Sequence, residues 1–490
     1  MIYNYISLVP EHFLICSFFL CFSYCVYYYL NFNNEYFLVY NYSVYSFLVS
    51  IFFFLFFIVF SFGFEFGVRD FFFREDLAII FEFFLLVFFS IFLLSTFNFI
   101  FNLNYSVVEI YTFFFLCILG IGLFFHLEHI ISFYLVMEFI SFCFYILTAF
   151  LKKNTHSFEG GLKYFILSSF SSIVLLFGFS LVYGFSGCLY IGDLFIFFYN
   201  ITFVENINFF VNDVFVFSFI CIILGMLFKL YAFPFHFWVS DIYQNAPFIS
   251  TFFFSIVTFF PFYYFLYKLY LNVFIFFDES LYSAFVFLSV GSMFIGSIGA
   301  IQQKKVRKMI AYSSISVTGY YLTYFFVSDI LLVRNIFFFI VVYVLSLFGI
   351  WMYITNLKFL SKNFFLERIS LYSGLMNYQY FSSLIFLGFF FALGGLPPFP
   401  NFIAKVSWLV TLMYNSFYFL VGLVLFVTLL SFFFYIRVGK NVVYNSNIYW
   451  FLLINFDYLS SFFFILIFIL INLLVFKPGF IFYFIEYGVI

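Results

Sequence analysis

Long uninterrupted runs of apolar residues, separated by brief clusters of charge, Gly, Pro or Asn, dominate the chain from end to end. Apolar runs of this length predict membrane-spanning helices, because each crossing needs about 20 mostly apolar residues and lipid offers no partner for open backbone groups. Spans are expected near 14–31, 44–64, 77–101, 106–125, 130–150, 163–184 and 208–232, then 247–272, 281–301, 309–328, 331–356, 380–414, 417–437 and 460–476. The pattern predicts an all-α polytopic membrane protein of about fourteen spans.

Two of these runs are interrupted. The seventh reads LGMLFKLYAFPFHFW, with Lys229 five residues before Pro234, and the twelfth reads FALGGLPPFPNFIAKVSW, with Pro397, Pro398 and Pro400 before Lys405. Proline removes a backbone donor and frees carbonyls, which a membrane helix tolerates where the opened turn faces protein or water. Matching interrupted spans, five apart, are the mark of an internal repeat of the kind found in secondary transporters. The organisation expected is an N-terminal region 1–105 of three spans, repeats over 106–275 and 276–440, and a C-terminal helix and tail over 441–490.

Composition narrows the function. Of 490 residues, 67% are hydrophobic, 8% are charged and 103 are Phe, so no soluble domain is expected. The net charge of -2 provides no basic stripe for nucleic acid. The seven cysteines, Cys16, Cys21, Cys25, Cys117, Cys143, Cys188 and Cys221, have no CxxC spacing and read as small buried residues. Without a glycine-rich dinucleotide motif, a phosphate loop or a cysteine cluster, the chain is expected to bind no cofactor and no metal itself.

The cations have a sidedness. Lys152 and Lys153, Lys304 to Lys308, Lys358, Lys362 and Arg368, and Arg437 and Lys440 follow spans five, nine, eleven and thirteen, which places them on one face. The opposite loops carry Asp193, Glu205, Asp278 and Glu279; Arg69, Arg74 and Arg334 are the exceptions. The basic face is expected to be the matrix side. The first fourteen residues have no arginine and carry Glu11, unlike an imported precursor, and the heavy use of Phe, Tyr, Ile and Asn fits an A+T-rich organellar genome. Synthesis inside the mitochondrion is therefore expected.

Ionisable residues inside membrane spans cost roughly 2.5 to 3.5 kcal/mol on insertion scales and are functional candidates by default. Glu138, Lys229 and Lys405 are the strongest, as proton-transfer groups; the competing reading of Glu138 is a structural ion pair. A lysine beside a helix break can lose and regain its proton as neighbouring charge changes. His236 is a candidate relay or a plain loop hydrogen bond. Glu82 and Lys268 lie close enough to span ends for snorkelling to explain them, and His126 and His129 read as interfacial polar residues.

At these residues the sequence resembles the chain 2 family of mitochondrial NADH:ubiquinone oxidoreductase, respiratory complex I. Its relatives include bacterial antiporter-like subunits and multisubunit cation/proton antiporters. The resemblance runs from about 107 to 410 and is carried by LVMEFISFCFYILTAF, EGGLKYFILSSFSS, FKLYAFPFHFWVSDIYQNAP, RKMIAYSSIS and GLPPFPNFIAKVSWL, in the family's order. It implies a fourteen-helix fold with two inverted five-helix repeats and broken helices seven and twelve. Glu138, Lys229 and Lys405 then match the fifth-, seventh- and twelfth-helix charges of a hydrated proton axis.

NADH, FMN, iron-sulfur clusters and ubiquinone would be bound by other subunits. The implied partners are other membrane-arm subunits, including further antiporter-like chains, and lipids of the mitochondrial inner membrane. Two departures stand out: Phe259 occupies the position of a central eighth-helix lysine, and Val317 that of a common histidine. Thr258, Tyr263, Tyr264, Ser316 or the displaced Lys268 are candidates for a substitute path. The alternatives are a structural subunit with a blocked path, or a subunit of a cation/proton antiporter.

Overall fold

The computed structural model describes residues 67–68, 72–73, 76–102, 107–151, 154–202, 209–327, 330–359, 367–444, 452–454, 458–479 and 482. The first two expected spans, the first three cysteines, and the charged positions 152, 153, 205 and 362 lie outside them. The chain divides into two compact units. The first holds residues up to Met226 together with Phe260–Asp278; the second holds Leu227–Phe259 and the chain from Glu279 onward.

Helices of the first unit are α1 (Asp76–Asn102), α2 (Val107–Phe125), α3 (Ile130–Ala149), α4 (Thr155–Ser186), α5 (Ile191–Thr202) and α6 (Phe209–Lys229), whose last turn enters the second unit. Next come α7 (Phe237–Asn245), α8 (Phe248–Val257) and α9 (Phe259–Asn272). From there the chain forms α10 (Asp278–Gln302), α11 (Val306–Leu322), α12 (Ile330–Asn356), α13 (Tyr380–Gly394), α14 (Pro400–Tyr414), α15 (Tyr418–Tyr444) and α16 (Tyr458–Phe476). Among the described residues, paired strands are two short antiparallel pairs, Gly67–Val68 with Phe72–Phe73 and Leu357–Phe359 with Leu452–Ile454, beside two isolated bridges, His129 with Tyr190 and Lys305 with Arg368. Among the described residues, seven helical spans are long and apolar enough to cross a bilayer.

In the first unit α2, α3 and α4 pack in sequence, with α1 against α2. Helix α4 starts on the Asn154 side chain, which accepts the His156 N–H, and stops at Gly187 in the left-handed conformation, whose N–H reaches the Tyr183 carbonyl. One face of α4 leaves Phe165, Ile166, Phe170 and Ile173 exposed, as a lipid-facing surface requires. Its other face meets α6 so closely that a Cβ on Gly225 would stand 2.6 Å from the Leu175 Cβ. Glycine is needed there for approach, not for an unusual backbone angle.

In the second unit α12 is apolar on all sides and correspondingly buried, packed by α8, α13, α14 and α16. The basic segment before α11 ties helix ends together. Arg307 donates to the Ala246 carbonyl at 2.8 Å and to Glu367 at 2.6 Å, and its guanidinium lies over the Phe248 ring. Lys305 joins Glu367 at 3.2 Å and Lys308 joins Asp241 at 3.6 Å. The segments RKMIAYSSIS and YQNAP thus meet in space: one arginine closes the end of α7 and the start of α8.

Candidate functional site

Glu138 sits in the middle of α3 and is half-buried. Ser141, one turn on, donates its hydroxyl to the Glu138 backbone carbonyl at 2.8 Å and to Oε2 at 3.2 Å. The other carboxylate oxygen, Oε1, is buried with no hydrogen-bond partner among the described residues. Hydroxyls cluster nearby: Tyr145 donates to Ser168 at 2.8 Å, and Ser171 and Ser172 lie buried on α4. The serines of SSFSS therefore give α4 a polar stripe toward α3.

Lys229 closes α6 and is buried. After it the chain turns through Tyr231 at φ 63° and a cis Phe233–Pro234 bond, and helix resumes at Phe237. Pro234 thus marks a true helix break, as the sequence pattern predicted. His236, at the start of α7, is buried, and its Nδ1 has no partner among the described residues.

Beyond this turn Tyr231 donates to Thr258 Oγ1 at 2.5 Å, and Thr258 in turn donates to the Phe254 carbonyl. Thr258 lies in the interruption between α8 and α9, three residues before Pro261, which has no N–H to offer the preceding turn. Phe259 is fully buried and meets the rings of Tyr231, Tyr321 and Tyr343 nearly at right angles, with centroids 5.8 to 5.9 Å away. Such edge-to-face packing is favourable for aromatic quadrupoles. Tyrosines therefore surround the position where the family has a lysine. Val317, on α11, is buried and adds no polar atom, while Ser316 spends its hydroxyl on the Ser313 carbonyl.

The second break is closed with more detail. Helix α13 ends at Gly395, left-handed at φ 77°, and the N–H groups of Gly395 and Leu396 return to the Phe391 carbonyl. A cis Pro397–Pro398 bond follows, and α14 starts with Pro400 in its first turn, where the missing N–H costs nothing. The freed carbonyls are taken by side chains of α14: Asn401 donates to Ala392 at 2.8 Å and Lys405 Nζ to Gly394 at 2.8 Å. Lys405 is buried, with its ammonium 6.0 Å from the Tyr320 ring centre and 5.7 Å from that of Phe432. Both faces lend it weak cation–π support.

Two residues differ from the sequence expectation. Lys268 does not snorkel: it is buried on α9 and forms an ion pair with Glu128, also buried, while donating to the Leu127 carbonyl at 3.3 Å. Glu82 is likewise buried on α1, with Oε2 2.9 Å from His126 Nε2. His126 is accordingly an internal group and not an interfacial one. The signal available in the sequence was the run HLEH in the tight link between two spans, which places charge where no long loop exists to carry it into water. Tyr263, also on α9, is fully buried in the same unit. No group of three or more His, Cys, Asp or Glu among the described residues could hold a metal ion.

Residues 128–431 match the family described as NADH:quinone oxidoreductase/Mrp antiporter, transmembrane. The chain belongs to that family. It is 32% identical over 337 residues to NADH-quinone oxidoreductase subunit N of Pelagibacter ubique, covering 67% of this chain and 68% of that one. It is 33% identical over 327 residues to NADH-ubiquinone oxidoreductase chain 2 of Marchantia polymorpha, covering 66% and 64%. The aligned part thus spans about two thirds of these relatives' length. The fold is that of a chain of respiratory complex I from Thermus thermophilus, with a TM-score of 0.78, 19% identity, and coverage of 97% and 98%. It is equally that of a chain of the archaeal membrane-bound sulfane sulfur reductase, with a TM-score of 0.83, 20% identity, and coverage of 99% and 97%. The chain is therefore an antiporter-like membrane subunit of the complex I type.

Proposed function

We propose that this chain serves as chain 2 in the membrane arm of a mitochondrial respiratory complex I and moves protons through Glu138, Lys229 and Lys405. The observation that carries the reading is the pair of buried lysines at the two helix breaks, Lys229 in the last turn of α6 and Lys405 on the open carbonyl of Gly394. A cation kept inside a membrane span by a purpose-built turn has a use for its charge. Each lysine takes a proton when the field around it is negative and gives one up when a neighbouring carboxylate is neutralised.

Residues 106–275 and 276–440 form the two inverted repeats in this reading. NADH, FMN, iron-sulfur clusters and ubiquinone sit in other subunits, as do the electrons, and further antiporter-like chains flank this one in the inner membrane. Around Phe259 the path follows hydroxyls. Tyr231 and Thr258 already form one link, and the buried Tyr343 and Tyr320 hydroxyls have no partner among the described residues, so water is expected to join them.

The second reading, a structural subunit with a blocked path, is favoured by the packing of Phe259 against three tyrosine rings. Replacing Lys229 by Ala separates the two. In purified complex reconstituted into liposomes, the conducting reading expects fewer protons pumped per NADH oxidised, with assembly intact. An unchanged proton-to-electron ratio in the assembled variant selects the structural reading.

A further inference from the structure

We infer that Glu82, His126, Glu128 and Lys268 form a second proton-holding station at the cation-poor end of the first unit, distinct from Glu138. This rests on the proton-moving reading above and extends it to four residues that reading does not use.

The four groups come from three segments. Glu82 lies in the second turn of α1, His126 and Glu128 in the four-residue link between α2 and α3, and Lys268 in the last turns of α9. All are buried, at 1%, 1%, 6% and 3% exposure in that order. The contacts are specific: His126 Nε2 to Glu82 Oε2 at 2.9 Å, and Lys268 Nζ to Glu128 Oε1. The link is covered by the chain after α4, since Ile130 N–H donates to the Leu189 carbonyl and Ile191 N–H to that of Glu128, both at 3.0 Å.

Charge counting gives the station its property. Two carboxylates face one lysine, so the cluster reaches neutrality only with one further proton, held by the Glu82–His126 pair. With that proton the sum is zero; without it the sum is minus one. One proton is taken up and the same proton is released, with no other bond changed. Glu82 Oε1 is buried with no partner among the described residues, which leaves a polar atom there for a donor to satisfy. The other titratable side chains on the surrounding elements include Glu109 and Tyr111 on α2, His129 on the link, Tyr134 and Glu138 on α3, Tyr263, Tyr264, Tyr267 and Tyr270 on α9, and Tyr190 and the exposed Asp193 beyond α4. None of these is a lysine or arginine.

The cluster also stands where a station is useful. His129 and Glu138 are nine residues apart along α3, roughly 14 Å at the rise of an α-helix. The surrounding segments hold Asp193 and Asp278 and lack the lysine and arginine groups of the basic loops, which makes this the release side if those loops face the matrix.

The competing role is a staple that only fastens helix ends. The double substitution Glu82→Gln with His126→Gln separates the two, because paired amides keep a hydrogen bond but cannot hold the extra proton. In reconstituted complex the expected result is normal assembly, fewer protons per NADH, and a flattened profile of coupled turnover between about pH 6 and 8, the range in which histidine changes charge. An assembled double variant with the parental ratio and profile overturns the station. Should the double variant not assemble, His126→Gln alone carries the same two outcomes, since its amide still donates to Glu82. Glu138→Gln is measured in parallel: loss of pumping there with none in the cluster variants refutes the station alone, whereas a parental ratio in Glu138→Gln refutes the proton-moving reading itself.

Discussion

Removing one partner of the Lys268–Glu128 pair should cost far more than removing both. Both side chains are buried, at 3% and 8% exposure, so water cannot rescue the survivor. Breaking a buried pair from one side typically costs about 3 to 5 kcal/mol, because an uncompensated charge stays behind. In Lys268→Met the Leu127 carbonyl also loses a donor, adding about 1 kcal/mol. The double variant Lys268→Met with Glu128→Gln leaves no charge and only that carbonyl, so its cost should be about 1 to 2 kcal/mol. With single losses of at least about 3 and 4 kcal/mol against at most about 2 for the double, the cycle predicts a coupling of at least about 5 kcal/mol. A multi-subunit membrane assembly does not unfold in two states, so the useful assay is a rank order. Purified complexes are heated in steps, and the fraction of intact assembly is read on native gels. Each single variant should fail at a markedly lower temperature than the double variant. If the double variant fails at the temperature expected from adding the two single losses, the pair is not an interacting buried ion pair and the reasoning is wrong.

Two further changes test the packing and the second break. Asn401→Ala removes one of two donors to the Ala392 carbonyl, the Gly395 N–H at 3.1 Å remaining, and should lower stability of the assembled complex by about 0.5 to 1.5 kcal/mol, seen as earlier heat dissociation, with proton pumping reduced in proportion to the intact fraction. Gly225→Ala forces a methyl to 2.6 Å from the Leu175 Cβ and 3.1 Å from the Ser171 carbonyl; overpacking of this kind costs about 1 to 3 kcal/mol, and reduced thermal tolerance in the same assay would register it.

Much of the helical pattern was legible from hydropathy, because lipid enforces it residue by residue. The expected spans 130–150, 331–356 and 460–476 correspond to Ile130–Ala149, Ile330–Asn356 and Tyr458–Phe476. Both breaks were equally readable, since a missing N–H at Pro234 or at Pro397 and Pro398 acts through the local backbone. The short helices Ile191–Thr202 and Phe237–Asn245 were not anticipated, being too brief to produce a spanning run. The larger miss was the state of Glu82 and Lys268. Whether an ionisable group snorkels or pairs depends on a partner that hydropathy cannot see, and Lys268 finds its partner 140 residues earlier in the chain. The same limit applies to Phe259, whose aromatic neighbours Tyr321 and Tyr343 lie on α11 and α12.

The distribution of charge in the first unit suggests why a phenylalanine at position 259 can be tolerated by a proton-moving chain. The resemblance to the complex I chain 2 family leads one to expect a lysine there, and this sequence instead carries Lys268 nine residues later. That lysine is neutralised by Glu128 and so is not a free substitute for the missing charge. Its pairing takes one carboxylate, and Glu82 is paired with His126 instead. A histidine changes charge near neutral pH without a large perturbation, whereas a lysine needs desolvation or a neighbouring cation to do so. On this account the displaced lysine acts as a fixed counter-ion. Phe259 itself stays packed among the rings of Tyr231, Tyr321 and Tyr343 in the second unit.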